Sequence, residues 1–128
     1  MADIIGVMYI FLDTARADDF ATGHDQMLNL ADTFVSSLQN DLQSLQTALS
    51  ESDSATLQKL LHTLKGYVTF LCNDGLAKEL VDIEASARQL TVEQLKPLVV
   101  GLLPSLSSMH REVTEWREHL SQHTSRPA

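Results

Sequence analysis

From Met27 to Leu120 the apolar residues of this chain return every three or four positions, with few interruptions. That interval keeps each of them on one stripe of an α-helix with 3.6 residues per turn. The first stripe, Met27, Ala31, Phe34, Leu38, Leu42, Leu45 and Leu49, predicts a long amphipathic helix over about residues 25–50. A polar break from Ser50 to Ser54 follows, with Ser52 and Asp53 among the N-cap candidates. Leu57, Leu60, Leu61, Leu64, Val68 and Leu71 predict a second helix over about 54–71. Asn73-Asp74-Gly75 is turn chemistry, two short side chains that close on their own backbone and then a residue free to take positive φ. Leu76, Leu80, Ile83, Ala87 and Leu90 mark a third helix over about 75–90. Thr91 and Gln94 form a capping-box pattern that opens the last helix, lined by Leu95, Val99, Leu102, Leu106, Met109, Val113, Trp116 and Leu120. Pro97 and Pro104 interrupt it, predicting a kink near Val100 to Pro104, or a later start with Pro97 in the first turn.

Four amphipathic helices with short connections have one economical arrangement. The expected fold class is all-α, an up-and-down antiparallel four-helix bundle over residues 24–120. The 5 glycines and 3 prolines leave few turns for many short strands, and no alternating pattern suggests one. Residues 1–23 are expected to form an N-terminal helical extension, with Ile4, Ile5, Met8, Phe11 and Leu12 capping one end of the core. Val7, Tyr9 and Ile10 widen that apolar surface toward a partner or a second copy. Thr22 or Asp25 is available to cap the first long helix, and residues 121–128 read as a frayed tail.

Charge removes several function classes. A net charge of -8 disfavours nucleic acid and anionic membrane surfaces, both of which call for a basic face. The apolar run from Ile4 to Leu12 is too short to span a bilayer, and Asp3 stands where a secretory signal carries positive charge. The lone Cys72 has no partner for an internal disulfide, so a cytoplasmic setting is expected; it follows the core stripe and reads as packed rather than reactive.

The second helix carries the chemistry. Opposite its leucine stripe, His62, Lys65, Gly66 and Thr69 share one face at spacings i, i+3, i+4 and i+7. An imidazole held to solvent, an ammonium one turn on and a residue without a side chain suit phosphoryl chemistry on histidine. His62, Leu64, Lys65 and Gly66 match the His-x-Leu-Lys-Gly signature of the histidine-containing phosphotransfer (HPt) domains of phosphorelays. Leu76, Ala77, Leu80, Ile83 and Glu84 resemble that family's following helix, and Phe34 with the leucines after it the preceding one. The similarity covers about residues 25–120.

The resemblance implies a phosphoryl carrier without kinase activity of its own, exchanging phosphate between His62 and receiver-domain aspartates. Lys65 would stabilise the phosphoryl group, Gly66 would admit the receiver, and Lys59, Thr69 and Tyr67 would border the partner. No cofactor or metal is expected on this chain, since the magnesium belongs to the receiver. The partners implied are a response-regulator receiver domain and a hybrid sensor histidine kinase. A monomer is expected, although the course of residues 1–20 bears on that and is open. Met1 and the N-terminal segment favour a free-standing protein.

Two residues depart from the family pattern. Tyr67 replaces the usual serine or alanine, about 140° around the helix from His62, and Cys72 replaces the customary glycine. Tyr67 and the first 20 residues, which have no clear family counterpart, lend weight to a rival reading, an HPt-like interaction or inhibitor protein that binds a receiver or kinase without carrying phosphate. A phosphoacceptor domain of a chemotaxis-type kinase is less favoured, because no catalytic domain follows the bundle. A metal enzyme is weaker still: Glu115, His119 and His123 have ligand spacing but fall at a fraying end, and His24 and His110 read as surface residues.

Overall fold

Each long helix begins where local chemistry satisfies its first amide groups. The computed structural model describes residues 9–124, and in it the chain forms α1 (Thr14–Ala17), α2 (His24–Ser50), α3 (Ser54–Val68), α4 (Asp74–Ala87) and α5 (Val92–Thr124). Asp53 caps α3 by accepting from the Thr56 amide at 3.1 Å, and the Thr56 hydroxyl donates to it at 2.7 Å. These bonds hold the Asp53 carboxyl below its ordinary range. Thr91 and Gln94 form the reciprocal pair expected of a capping box, at 3.2 Å and 3.0 Å.

Three sequence expectations change here. Asn73 is the cap of α4 rather than the first residue of a free turn: its side chain accepts from the Leu76 amide at 3.0 Å, and Gly75 has no positive φ. The left-handed residue is instead Ser52, at φ 52°, in the connection before α3. Neither Thr22 nor Asp25 caps α2; Gly23 stands at that position, while Thr22 donates to the Gln26 side chain through its amide and hydroxyl.

The four long helices bury one continuous core. Leu38, Leu45, Leu57, Leu61, Leu64, Leu80, Leu95, Leu102, Leu106 and Met109 are fully buried within it, all from the expected stripes. Met27, Leu42, Leu60, Leu90 and Leu120 pack along its margin, half-buried. α5 lies antiparallel to α2, as three contacts along their length require. His24 Nε2 is 2.7 Å from the Leu120 carbonyl, Arg117 is 3.5 Å from Asp32, and Lys96 reaches the Ser52 hydroxyl at 2.9 Å. α5 is assigned as one helix through both prolines, and the later start does not occur. Pro97 and Pro104 are exposed, as are Glu93 and Val100, whose carbonyls lose a donor, so water is available to them. The helix also continues through Thr124, past the tail expected to fray from 121.

The N-terminal segment departs most from expectation. Ile4, Ile5 and Met8 lie outside the described residues, but Phe11, at a bend, and Leu12, in a β-bridge, are not helical. The backbone here is diverted into longer-range bonds. Glu112 on α5, 5% exposed, accepts from the amides of Ile10, Phe11 and Leu12 at 2.9–3.1 Å. Leu12 pairs with Cys72, and the Asn73 and Asp13 amides donate to the Phe11 and Leu71 carbonyls. Among the described residues before 24, only α1 is helical. Beyond it, Phe20 stacks on Phe70 with centroids 4.9 Å apart. The result is a strap tying the α3–α4 connection to α5. Cys72 is fully buried under it, and burial pushes its thiol up to about 11.

This strap depends on a carboxylate that only accepts. Glu112→Gln turns an amide N–H group toward backbone donors and is expected to lower the unfolding free energy by about 1–3 kcal/mol. Urea denaturation measures it, and an unchanged midpoint would show that the three bonds do not hold the strap.

Candidate functional site

The rotation of α3 is set by Leu57, Leu61, Leu64 and Val68, all 0% exposed, which turns His62 to the outside. Its side chain is 70% exposed. The ring is nevertheless engaged: Nδ1 lies 3.4 Å from Oε2 of Glu84 on α4. The other oxygen, Oε1, accepts from Lys65 Nζ at 3.1 Å. One carboxylate, 14% exposed, thus bridges the imidazole and the ammonium. Lys65, and after it His62, hold the Glu84 carboxyl below its ordinary range. With its pKa depressed in the fold, Glu84 contributes stability that is present above the unfolded glutamate value. That contribution is lost only as pH falls through the lower folded one.

Glu84 is the site residue that periodicity misses. It was legible as part of the family-like helix, but nothing local shows which group it meets 22 positions away. Its effect is chemical. When Nδ1–H donates to this carboxylate, the lone pair of the neutral ring lies on Nε2.

Gly66 lies next on the exposed face. A Cβ built there meets nothing within 4 Å, so the fold itself does not require glycine. Thr69, beyond the last turn, is half-buried; its hydroxyl donates to the Lys65 carbonyl at 2.6 Å and its own carbonyl accepts from Arg16. Arg16 also pairs with Asp74, so that it fastens the strap both to the end of α3 and to the start of α4. Tyr67 turns the other way, into the seam with α2. Its hydroxyl donates to Asp41 at 2.7 Å and its ring meets Phe34 edge-on, with centroids 5.3 Å apart. Burial and that bond raise its phenol pKa. His62, Lys65 and Gly66 therefore come together with Glu84, while Tyr67 sits on the opposite flank of α3 from the α4 side that His62 addresses. Lys59 is exposed one turn before His62, on the rim of a groove of about 440 Å³ between α3 and α4.

A family model described as the Hpt domain matches residues 29–123. The chain belongs to the Hpt domain family. Neither the curated proteins nor the solved structures compared with it gave a match. Hpt domains are phosphocarrier modules of phosphorelays that work with receiver domains and kinases. Among the described residues no helix is long and apolar enough to cross a membrane, and no three metal-ligating side chains gather. His119 is half-buried, and the His123 side chain lies outside the described residues. His110 is not a free surface residue as expected: its Nε2 is buried.

The Glu84 contact makes the tautomer of this Hpt domain testable. Near pH 7.5 the neutral His62 ring is expected to carry its proton on Nδ1, as read from ¹⁵N chemical shifts. Glu84→Ala should move it toward the Nε2–H form that free imidazole favours. An Nε2–H ring in the unaltered protein would rule the contact out as an orienting one.

Proposed function

We infer that this Hpt domain carries a phosphoryl group on His62 Nε2, taken from and returned to the aspartyl phosphate of a receiver domain. The observation that carries the reading is the exposed imidazole with Nδ1 against Glu84 and Lys65 one turn away. In the forward step the Nε2 lone pair attacks phosphorus, and the N–P bond forms. The bond from phosphorus to the aspartyl oxygen breaks, and its electrons leave with the aspartate carboxylate. Positive charge developing on the ring is balanced by Glu84, which holds the Nδ1 proton. Return to a receiver reverses each step.

No helix N-terminus is near mid-helix His62, so the product's charge of roughly -2 needs a cation. Lys65, one turn on and ordered beside the ring by Glu84, is the cation assigned to it, and to serve it swings from Glu84 toward the phosphoryl oxygens. This chain needs no cofactor for the step; the receiver brings the magnesium. The rival reading, binding without transfer, drew its support from the N-terminal segment and from Tyr67, which lies in the α2 seam on the flank away from α4.

Labelled receiver domains incubated with the protein are expected to give an acid-labile, base-stable label that His62→Gln abolishes. Tight receiver binding with no label on the unaltered protein would favour the rival instead. Lys65→Ala should slow transfer by about tenfold or more, the scale of one charge-assisted hydrogen bond of ~1.5–3 kcal/mol.

Gly66 separates fold from docking. Gly66→Ala should raise stability by about 0.5–1 kcal/mol, since it removes a mid-helix glycine without a clash. Gly66→Gln should keep the fold and weaken transfer at limiting receiver. Undiminished transfer by Gly66→Gln would show that the partner does not approach over this residue.

A further inference from the structure

The chain has 17 carboxylate residues against 9 lysines and arginines, and half of the described lysines and arginines are neutralised by a neighbour. Lys65 is held by Glu84, Lys78 by Asp82, Arg117 by Asp32, and Arg16 by Asp13 and Asp74. Among the described residues, Lys59, Arg88 and Arg111 have no carboxylate within ion-pair distance, and Lys96 reaches only the Ser52 hydroxyl. Two of these four, Lys59 on α3 and Arg88 at the end of α4, flank the same groove as His62. Both are exposed. The carboxylate in that groove, Glu84, is already offset by Lys65. A chain of net charge -8 thus carries a local excess of positive charge on the α4 side of its reactive histidine.

We propose that Lys59 and Arg88 form an electrostatic dock for the acidic rim of the receiver's aspartyl site, fixing the partner on the α3–α4 side of His62. The inference rests on the phosphocarrier reading and adds to it the side from which the receiver arrives. Its occupant follows from charge. A receiver that binds magnesium with clustered carboxylates is repelled by most of this surface and attracted at the groove. Lys59 and Arg88 act on encounter and not on bond making, which falls to Lys65, the cation that Glu84 holds beside the ring. The apolar Phe20–Phe70 pair on the other flank belongs to the strap and takes no part.

The test follows transfer from a panel of labelled receiver domains to the full chain, at limiting and saturating receiver and at low and high salt. Lys59→Gln/Arg88→Gln together should lower kcat/KM by about 10–100-fold at low salt. The saturated rate should stay within about twofold, and the deficit should shrink at ~0.5 M salt, where the screening length falls well below 8 Å. Lys96→Gln/Arg111→Gln, the same change of net charge away from the groove, should cost less than about threefold. An equal loss in both pairs would overturn the dock in favour of whole-molecule charge. Unchanged kcat/KM, or a loss confined to the saturated rate, would overturn it as well. If the unaltered protein takes up no label from any receiver, the phosphocarrier reading falls and this inference with it. If it transfers normally and the groove variants match it, only the dock falls.

Discussion

The rotation of α3 about its own axis is the constraint on which the site depends. Leu57, Leu61, Leu64 and Val68 are fully buried between α2, α4 and α5, and a helix so anchored has one orientation. His62, one position after Leu61, then faces out at the level of Glu84 on α4. Turning α3 by one residue would bury the imidazole and expose a leucine. The outward position of His62 is therefore secured by packing several kcal/mol deep, not by its single 3.4 Å contact with Glu84.

Glu84 does two jobs with two oxygens, and the geometry explains why neither pair is closed to solvent. A fully buried ion pair would cost more in desolvation than it returned. At 14% exposure for Glu84 and 33% for Lys65, the lysine stays close enough to be ordered and wet enough to leave. On the proposed reading both are needed: an ordered resting site, and a cation released when a more highly charged anion appears on Nε2. A lysine suits this better than an arginine, whose planar fork would bind Glu84 through two parallel bonds.

Much of this was legible before any coordinates, for a physical reason. Helical stripes are local periodicities, so the core from Leu38 to Met109 and the outward face of His62, Lys65 and Gly66 could be read directly. The capping box at Thr91 is equally local. What stayed hidden was whatever a distant partner decides. Residues 10–12 have the apolar spacing of a helix, but a buried carboxylate about 100 positions later takes their amides, and they leave the helical path. The exposed setting of Pro97 and Pro104 depends on which side of α5 meets solvent, which residue type alone does not reveal. Glu84 and Arg88 belong to the site only because α4 folds back along α3, and Tyr67 leaves it because α2 offers Asp41 and Phe34.

The strap and the site are joined through one short stretch of chain. Arg16 donates to the Thr69 carbonyl at 3.2 Å, and Asn73 binds the carbonyls of Ile10 and Phe11 while capping α4. The last turn of α3 and the first of α4 are thereby fixed to each other and, through Glu112, to α5. The separation between His62 and Glu84 depends on how these two helices lie together, and a carboxylate only 3.4 Å from Nδ1 has little tolerance for drift. A buried glutamate on the last helix thus helps to place a side-chain pair it does not touch. It does so by holding the connection between the two helices that bring the ring and its carboxylate together.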